Sequence, residues 1–325
     1  MESSAWIEVR IIQKRLEAED VVSMVLASKH GASLPHFEAG AHIDLEVAPG
    51  IIRQYSLCTN PEGPASYEIA VLREPASRGG SQAVHDALQV GQIVRISAPR
   101  NHFPLTNSAS RSLLFAGGIG ITPILCMAEH LQDTGAPYAM HYCGRTAGRL
   151  AYADRLARGG VSANVQVHLD DGPAAQHLDL PAILANPDPA AHLYVCGPGG
   201  FINAVLDAAR QAGWSEDQLH REFFAAPADW PVSEGEDTAF TVVLSSSGLR
   251  IAVSADKSIV EALDEQGIFI PTSCSEGICG TCVINVIEGT PDHRDFVLSS
   301  DQRARNDRLT TCCSRAKSST LVLDL

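Results

Sequence analysis

The stretch CSEGICGTC places cysteines at 274, 279 and 282, and Cys312 follows, giving a C-x4-C-x2-C-x29-C spacing. This is the plant-type [2Fe–2S] pattern, in which each of two irons takes two thiolates in a tetrahedral sulfur shell. A tight loop can deliver three of the four from one segment, and Gly277 and Gly280 let its backbone wrap the inorganic sulfides. Zinc sites favour paired C-x2-C elements, and only one such pair occurs here. Inert core thiols would need no such spacing. The expected metal ligands are therefore Cys274, Cys279, Cys282 and Cys312. In TCCSR, Cys313 competes with Cys312. Neighbours on an extended chain point to opposite faces, so one of the two serves, and Cys312 is the expected one.

Three further stretches carry residues suited to nucleotides. In RQYSL, Arg53 can offset a phosphate and Tyr55 can lie against a ring, although the same alternation would suit a solvated strand face. RGGSQAVHDAL, at 78–88, puts Gly79 and Gly80 at a helix start with Ser81 as its expected cap, a phosphate cradle by the helix-terminus argument. FAGGIGITPI follows an apolar run, and Gly117, Gly118 and Gly120 permit close approach to a pyrophosphate, with Thr122 and Pro123 in the first helical turn. YVCGPGGFI repeats the layout, with Cys196 at a strand's carboxyl end, where open α/β sheets bind ligands; the alternative is a buried structural thiol.

Elements of three textures must position these residues. Up to about residue 103, short strands (WIEVRII, VVSMVL, HIDLEV, YEIAVL, IVRIS) separated by turns predict an antiparallel barrel. From about 111, near-continuous apolar runs alternate with helical segments such as PILCMAEHLQDTG, predicting a parallel-sheet α/β domain. The Pro- and acid-rich APADWPVSEGED reads as a linker. After it come a hairpin in AFTVVLSSSGLRIAV, the helix SIVEALDEQG with Ser258 and Glu261 as a capping box, and two closing strands, a small α+β domain. The expected domains are 1–105, 106–228 and 238–325, with a linker at 229–237.

A net charge of −14 argues against nucleic-acid binding. Charges at Glu8, Arg10, Lys14 and Arg15 break any signal-peptide core, and no 18-residue apolar window suggests a membrane span. Nine cysteines without an export signal suggest reduced or metal-bound thiols and a cytoplasmic location. Cys58, Cys126 and Cys143 read as small core residues, and the loop DHRD (292–295) as either a polar loop or a partner contact.

R-x-Y-S, G-G-x-G-x-T-P, C-G-P and the terminal cysteine set, in this order, resemble the phthalate dioxygenase reductase type of the ferredoxin–NADP reductase superfamily, to which vanillate demethylase reductases are close. The resemblance covers essentially the whole chain. It implies a flavin-binding barrel, an NAD-binding α/β domain and a β-grasp [2Fe–2S] ferredoxin domain. It also implies FMN and NADH as cofactors and a Rieske-type oxygenase as the protein that receives the electrons. Flavin contacts fall on Arg53, Tyr55, Ser56, Val71, Gly79, Gly80, Ser81 and Thr122, and on Phe224, with Phe223 a neighbouring alternative. Gly117, Gly118, Gly120, Pro123, Cys196, Gly197 and Pro198 would face the nicotinamide nucleotide. Cys196, Thr122 and Phe224 are then expected at the reacting centre. NADH yields two electrons and a [2Fe–2S] cluster accepts one; a flavin can trade in both, which explains why it stands between them. Arg145 and Arg149 leave NADPH open on charge alone.

Overall fold

The structure, a computed structural model, describes residues 6–59, 61, 65–75, 77, 79–225, 237–298 and 300–325. Arg78 and most of the expected linker lie outside the described residues. The chain divides into two compact units, Met1–Phe224 and Ala225–Leu325.

The first unit begins with strands β1 (Ile7–Ala18), β2 (Val21–Ser28), β3 (His42–Ala48), β4 (Ile51–Ser56) and β5 (Ser66–Leu72), helix α1 (Gly80–Asp86), and strand β6 (Ile93–Ile96). They form a six-stranded antiparallel sheet in the order β4-β3-β6-β1-β2-β5. Its end strands meet where the Cys58 N–H donates to the Glu68 carbonyl at 2.8 Å, just past β4, which curls the sheet into a barrel. Inward residues alternate along the strands, as Val9, Ile11, Met24, Leu26, Ile43, Leu45 and Ile69 show by being fully buried.

The same unit continues with β7 (Arg111–Gly117), α2 (Ile121–Thr134), β8 (Tyr138–Gly144), α3 (Ala153–Arg158), β9 (Val165–Leu169), α4 (Leu180–Leu184), β10 (Ala191–Cys196), α5 (Gly199–Gln211) and β11 (Leu219–Glu222). The five strands run parallel in the order β11-β10-β7-β8-β9. Covered faces make β7 and β10 nearly all apolar, as expected for parallel strands. A partly buried ionic knot ties this layer to the barrel. Arg155 on α3 donates to both oxygens of Glu129 at 2.7 and 2.6 Å, to Glu68 on β5 at 3.1 Å, and to the Cys58 carbonyl at 2.9 Å. Burial pushes the Glu68 carboxyl up, and the Arg155 guanidinium works against that.

The second unit holds β12 (Phe240–Leu244), β13 (Arg250–Val253), α6 (Ile259–Asp264), β14 (Val283–Glu288), β15 (Pro291–Asp292), α7 (Ser300–Arg305), β16 (Arg308–Thr310), β17 (Arg315–Ala316) and β18 (Thr320–Leu323). Its main sheet runs β13-β12-β18-β14-β16, mixing a parallel β12–β18 pair with antiparallel neighbours. The expected capping box on α6 is present: the Ser258 hydroxyl accepts from the Glu261 N–H, and the Glu261 carboxylate accepts from the Ser258 N–H at 2.8 Å. Among the described residues, no helix is long and apolar enough to cross a membrane.

Candidate functional site

The glycine-rich junctions after β7 and β10 meet backbone to backbone. A Cβ on Gly120 would stand 2.2 Å from the Cys196 carbonyl oxygen and 2.6 Å from the Gly197 nitrogen; one on Gly117 would strike the Phe201 ring at 2.8 Å. Only glycine lets the start of α2 and the end of β10 approach this closely. Thr122 and Pro123 are buried in the first turn of α2, where the Thr122 hydroxyl donates to the Ile119 carbonyl at 3.1 Å. Pro198 is the residue that caps α5, with Gly197 just before it. Gly118, at φ +53°, has open space where a side chain would be.

Cys196 is fully buried at the end of β10, in register with Ala116 on β7 and Glu222 on β11. Burial, with the Glu222 carboxyl beside it, pushes the Cys196 thiol far up, so it stays protonated and serves as a neutral wall. Glu222 was not among the residues the sequence singled out. It sits half-buried, and the Ser56 hydroxyl at the end of β4 donates to it at 3.4 Å. Burial pushes its carboxyl up to about 8, with the Ser56 hydrogen bond pulling the other way. The only sequence signal was an acid just before the paired phenylalanines in HREFFA. Beyond it, Phe223 packs with the α5 core, which leaves Phe224, 40% exposed, as the ring available to a ligand.

A proton held by Glu222 has a measurable consequence. With its folded pKa above the ordinary 4.5, the folded protein binds the extra proton, so stability falls as pH rises from 4.5 to about 8. Glu222→Gln is expected to flatten that fall. Urea midpoints at pH 5 and pH 9 check it: the parent should lose more between them than the variant, and equal losses would refute it.

On the barrel, Arg53 and the loop before α1 are in contact. A Cβ on Gly80 would meet the Arg53 side chain at 2.6 Å, and Arg53 Nη1 donates to the Ile52 carbonyl at 2.8 Å. The half-buried Tyr55 packs on the barrel core, and burial pushes its phenol up. Val71 is buried on β5, and its carbonyl accepts from His85 Nε2 at 2.9 Å. One expectation changes. Gly79, in a left-handed conformation at φ 82°, caps α1, and Ser81 lies inside the helix with its hydroxyl accepting from the Glu74 N–H at 3.0 Å. A residue already in helical conformation cannot reach back as a cap. No side chain caps the first turn of α1, and the Arg53 side chain lies where a Cβ on Gly80 would stand.

In the second unit, the four expected thiols converge. Cys274 is within hydrogen-bonding reach of Cys279 and of Cys312, and Cys282 of Cys312. These contacts bring the thiols of the loop and of the turn after β16 together. Gly277 and Gly280 turn the loop at φ +73° and +72°. Thr311 ties the segments together, its N–H and hydroxyl donating to the Cys282 carbonyl at 3.1 and 3.2 Å. The premise of an extended chain at Cys312 and Cys313 does not hold, because residues 311–313 form a turn after β16. Both thiols are half-buried there. Cys312 touches Cys274, Cys282 and Cys313, whereas Cys313 touches Cys312 and Thr310 and lies against Gly277 of the loop. Among the described residues, no three His, Cys, Asp or Glu side chains are grouped around a single metal ion. Of the remaining thiols, Cys58 and Cys126 are core residues as expected, and Cys143 is half-buried.

Residues 242–317 match the family of 2Fe-2S iron-sulfur cluster binding domains. The chain is 50% identical over 319 residues to the vanillate O-demethylase oxidoreductase of Pseudomonas sp. (strain HR199 / DSM 7063), covering 98% of this chain and 100% of that one. It is 37% identical over 325 residues to the phthalate dioxygenase reductase of Burkholderia cepacia, covering 100% and 99%. The chain belongs to this reductase family. A solved phthalate dioxygenase reductase, described as a modular structure for electron transfer from pyridine nucleotides to [2Fe-2S], superposes with a TM-score of 0.73 at 37% identity over 99% of this chain and 98% of that one. The barrel, the parallel α/β layer and the ferredoxin unit are thus the family's architecture, as the sequence led one to expect.

Proposed function

We propose that the chain is the NADH-dependent reductase component of a two-component Rieske-type aromatic-ring oxygenase or O-demethylase, passing electrons from NADH through FMN and a [2Fe–2S] cluster to the oxygenase. The observation that carries this is the meeting of Ser56, Cys196 and Glu222, which joins a flavin-type strand to a nucleotide-type glycine crossing, in a chain that also holds a three-thiol loop with Cys312 beside it. In this reading the domains are 1–105, 106–228 and 238–325, and the location is the cytoplasm. When bound, FMN would supply the exchange between an electron pair and single electrons, and a cluster on the four thiols would supply one-electron transfer.

The residues do the rest. Arg53 and the backbone of Gly79, Gly80 and Ser81 bind the flavin phosphate, while Tyr55, Ser56, Val71, Thr122 and Phe224 bound the ring. Gly117, Gly118, Gly120, Pro123, Gly197 and Pro198 admit the dinucleotide. Cys196 stays neutral and excludes water, and Glu222 holds a proton within reach of Ser56. Cys274, Cys279, Cys282 and Cys312 hold the cluster.

For the pyridine nucleotide, Arg149 is spent on Glu19 at 3.0 Å and Asp20 at 3.7 Å. Asp170 and Asp171 stand instead at the carboxyl edge of the sheet, their N–H groups donating to the Gly144 and Arg145 carbonyls at 3.1 and 3.2 Å. Exposed Arg145 stands at the same edge, so a 2′-phosphate there would face two carboxylates against one guanidinium. We expect kcat/KM for NADH to exceed that for NADPH by about 100-fold or more, and the double change Asp170→Asn with Asp171→Asn to narrow the gap about tenfold. Steady-state kinetics with both nucleotides checks this, and parity in the parent refutes it. The function as a whole is tested on the purified protein by anaerobic stopped-flow with NADH, following flavin and cluster bands separately, and by identifying the acid-extracted flavin. Stoichiometric FAD, or cluster bleaching in flavin-free protein at the native rate, overturns it.

A further inference from the structure

The loop DHRD contributes no thiol, yet Asp295 walls the cysteine loop from behind. It is fully buried. A Cβ on Gly277 would come within 2.4 Å of Cys313 Sγ and 3.0 Å of Asp295 Cα, and the Phe296 N–H donates to the Gly277 carbonyl at 2.9 Å. The Asp295 carboxylate is only partly matched. Oδ2 accepts from the Leu298 N–H at 2.7 Å and lies 3.7 Å from Arg303 Nη2, which also donates to the Asp295 carbonyl. Among the described residues Oδ1 has no hydrogen-bond partner, and His293 Nδ1 stands 3.7 Å from it. Neither expectation for this loop anticipated a buried acid. A carboxylate kept dry with one oxygen unsatisfied calls for an explanation beyond packing, which a neutral side chain would serve better.

Within the loop, N–H donors face the sulfurs. The Glu276 N–H lies 3.3 Å from Cys274 Sγ and the Thr281 N–H 3.5 Å from Cys279 Sγ, while the Cys279 thiol donates to the Thr281 hydroxyl at 3.2 Å, a contact that a thiolate would reverse. Once these sulfurs are thiolates, such donors favour added negative charge and raise a cluster's reduction potential. A fixed negative charge in a low-dielectric wall does the reverse, because an incoming electron is repelled by it. We propose that Asp295 sets the reduction potential of the cluster, holding it below the value the sulfur-directed donors alone would give, with Arg303 as the counterweight. This rests on the reading of Cys274, Cys279, Cys282 and Cys312 as the cluster ligands. The step affected moves one electron in from the flavin and one out to the protein acceptor, and no bond is made or broken.

The test is an anaerobic potentiometric titration of the full-length holoprotein, followed by electron paramagnetic resonance at about pH 9, where imidazoles are neutral as a rule. Iron content and the signal of the reduced parent first check the ligand reading; a parent without a two-iron signal removes that reading and the proposal with it. Given the signal, Asp295→Asn should shift the oxidised-to-reduced ratio at fixed potential at least tenfold toward reduced, an upward move of about 59 mV for one electron. Arg303→Gln should shift it in the opposite direction. A merely structural role predicts no such opposition of sign. Equal or like-signed shifts overturn the proposal while leaving the ligand reading intact. Should Asp295→Asn fail to load iron, Arg303→Gln decides alone: a downward shift supports the proposal, and any other result overturns it.

Discussion

Changing Cys279 to serine is expected to abolish the iron–sulfur spectrum and the reduction of one-electron acceptors that draw on the cluster, while leaving flavin content and NADH-driven reduction of a flavin-level dye near the parent's. A serine oxygen is a poor ligand for iron in a sulfur shell, and Cys279 is 5% exposed, so no outside ligand reaches the gap. The damage should stay local. The apolar residues of the ferredoxin unit, from Phe240 to Leu323, form a cluster of their own, separate from those of the barrel and the parallel sheet. Cytochrome c reduction should fall by about 100-fold or more, and dye reduction by less than about twofold. The adjacent pair supplies the control. Cys312→Ser should behave like Cys279→Ser, since Cys312 bridges toward Cys274 and Cys282, whereas Cys313→Ser should keep its cluster. Cluster loss in Cys313→Ser with retention in Cys312→Ser would reverse the assignment. Loss of flavin along with the cluster would break the separation of the two half-reactions.

What could be read from the sequence follows from how local each signal is. Strand alternation, apolar parallel runs, glycine junctions and cysteine spacing are short-range patterns, and each placed its element correctly. Glu222 escaped because its meaning comes from Ser56, 166 positions away, and an acid at a strand end carries no mark of that pairing. Ser81 was misread for a related reason: serine near two glycines is a good cap by type, but the left-handed turn at Gly79 starts the helix earlier. The strand argument for Cys312 fails at the turn 311–313, and what separates the two thiols is contact of Cys312 with Cys274 and Cys282 across the fold. Asp295 looked like part of a polar loop because burial at a loop position is decided by what packs over it, here Gly277 and α7.

Gly120→Ala is expected to lower kcat/KM for NADH by about 100-fold, since displacements of about 1 Å at a site that depends on alignment have effects of this order. Its φ of −62° is ordinary for any residue, so the substitution carries no backbone penalty. The obstacle is entirely the Cβ, which would stand 2.2 Å from the Cys196 carbonyl oxygen and 2.4 Å from its carbon. These are main-chain atoms at the end of a central strand and cannot rotate aside, so the start of α2 and the β10 junction must part. Overpacking of this kind costs about 1–3 kcal/mol of stability. Gly118 offers the opposite case two residues earlier: φ is +53°, but nothing lies within 4 Å of its Cβ position. Gly118→Ala should therefore cost only about 1–2 kcal/mol of backbone strain and leave the Cys196 junction in place. Flavin content and the cluster spectrum should persist in both variants, because neither glycine touches Arg53 or the thiol loop. Stopped-flow flavin reduction over a range of NADH concentrations separates the outcomes. Gly120→Ala should slow the limiting rate as well as weaken binding, and a variant within twofold of the parent in both would show that the two glycine junctions do not set the geometry of transfer.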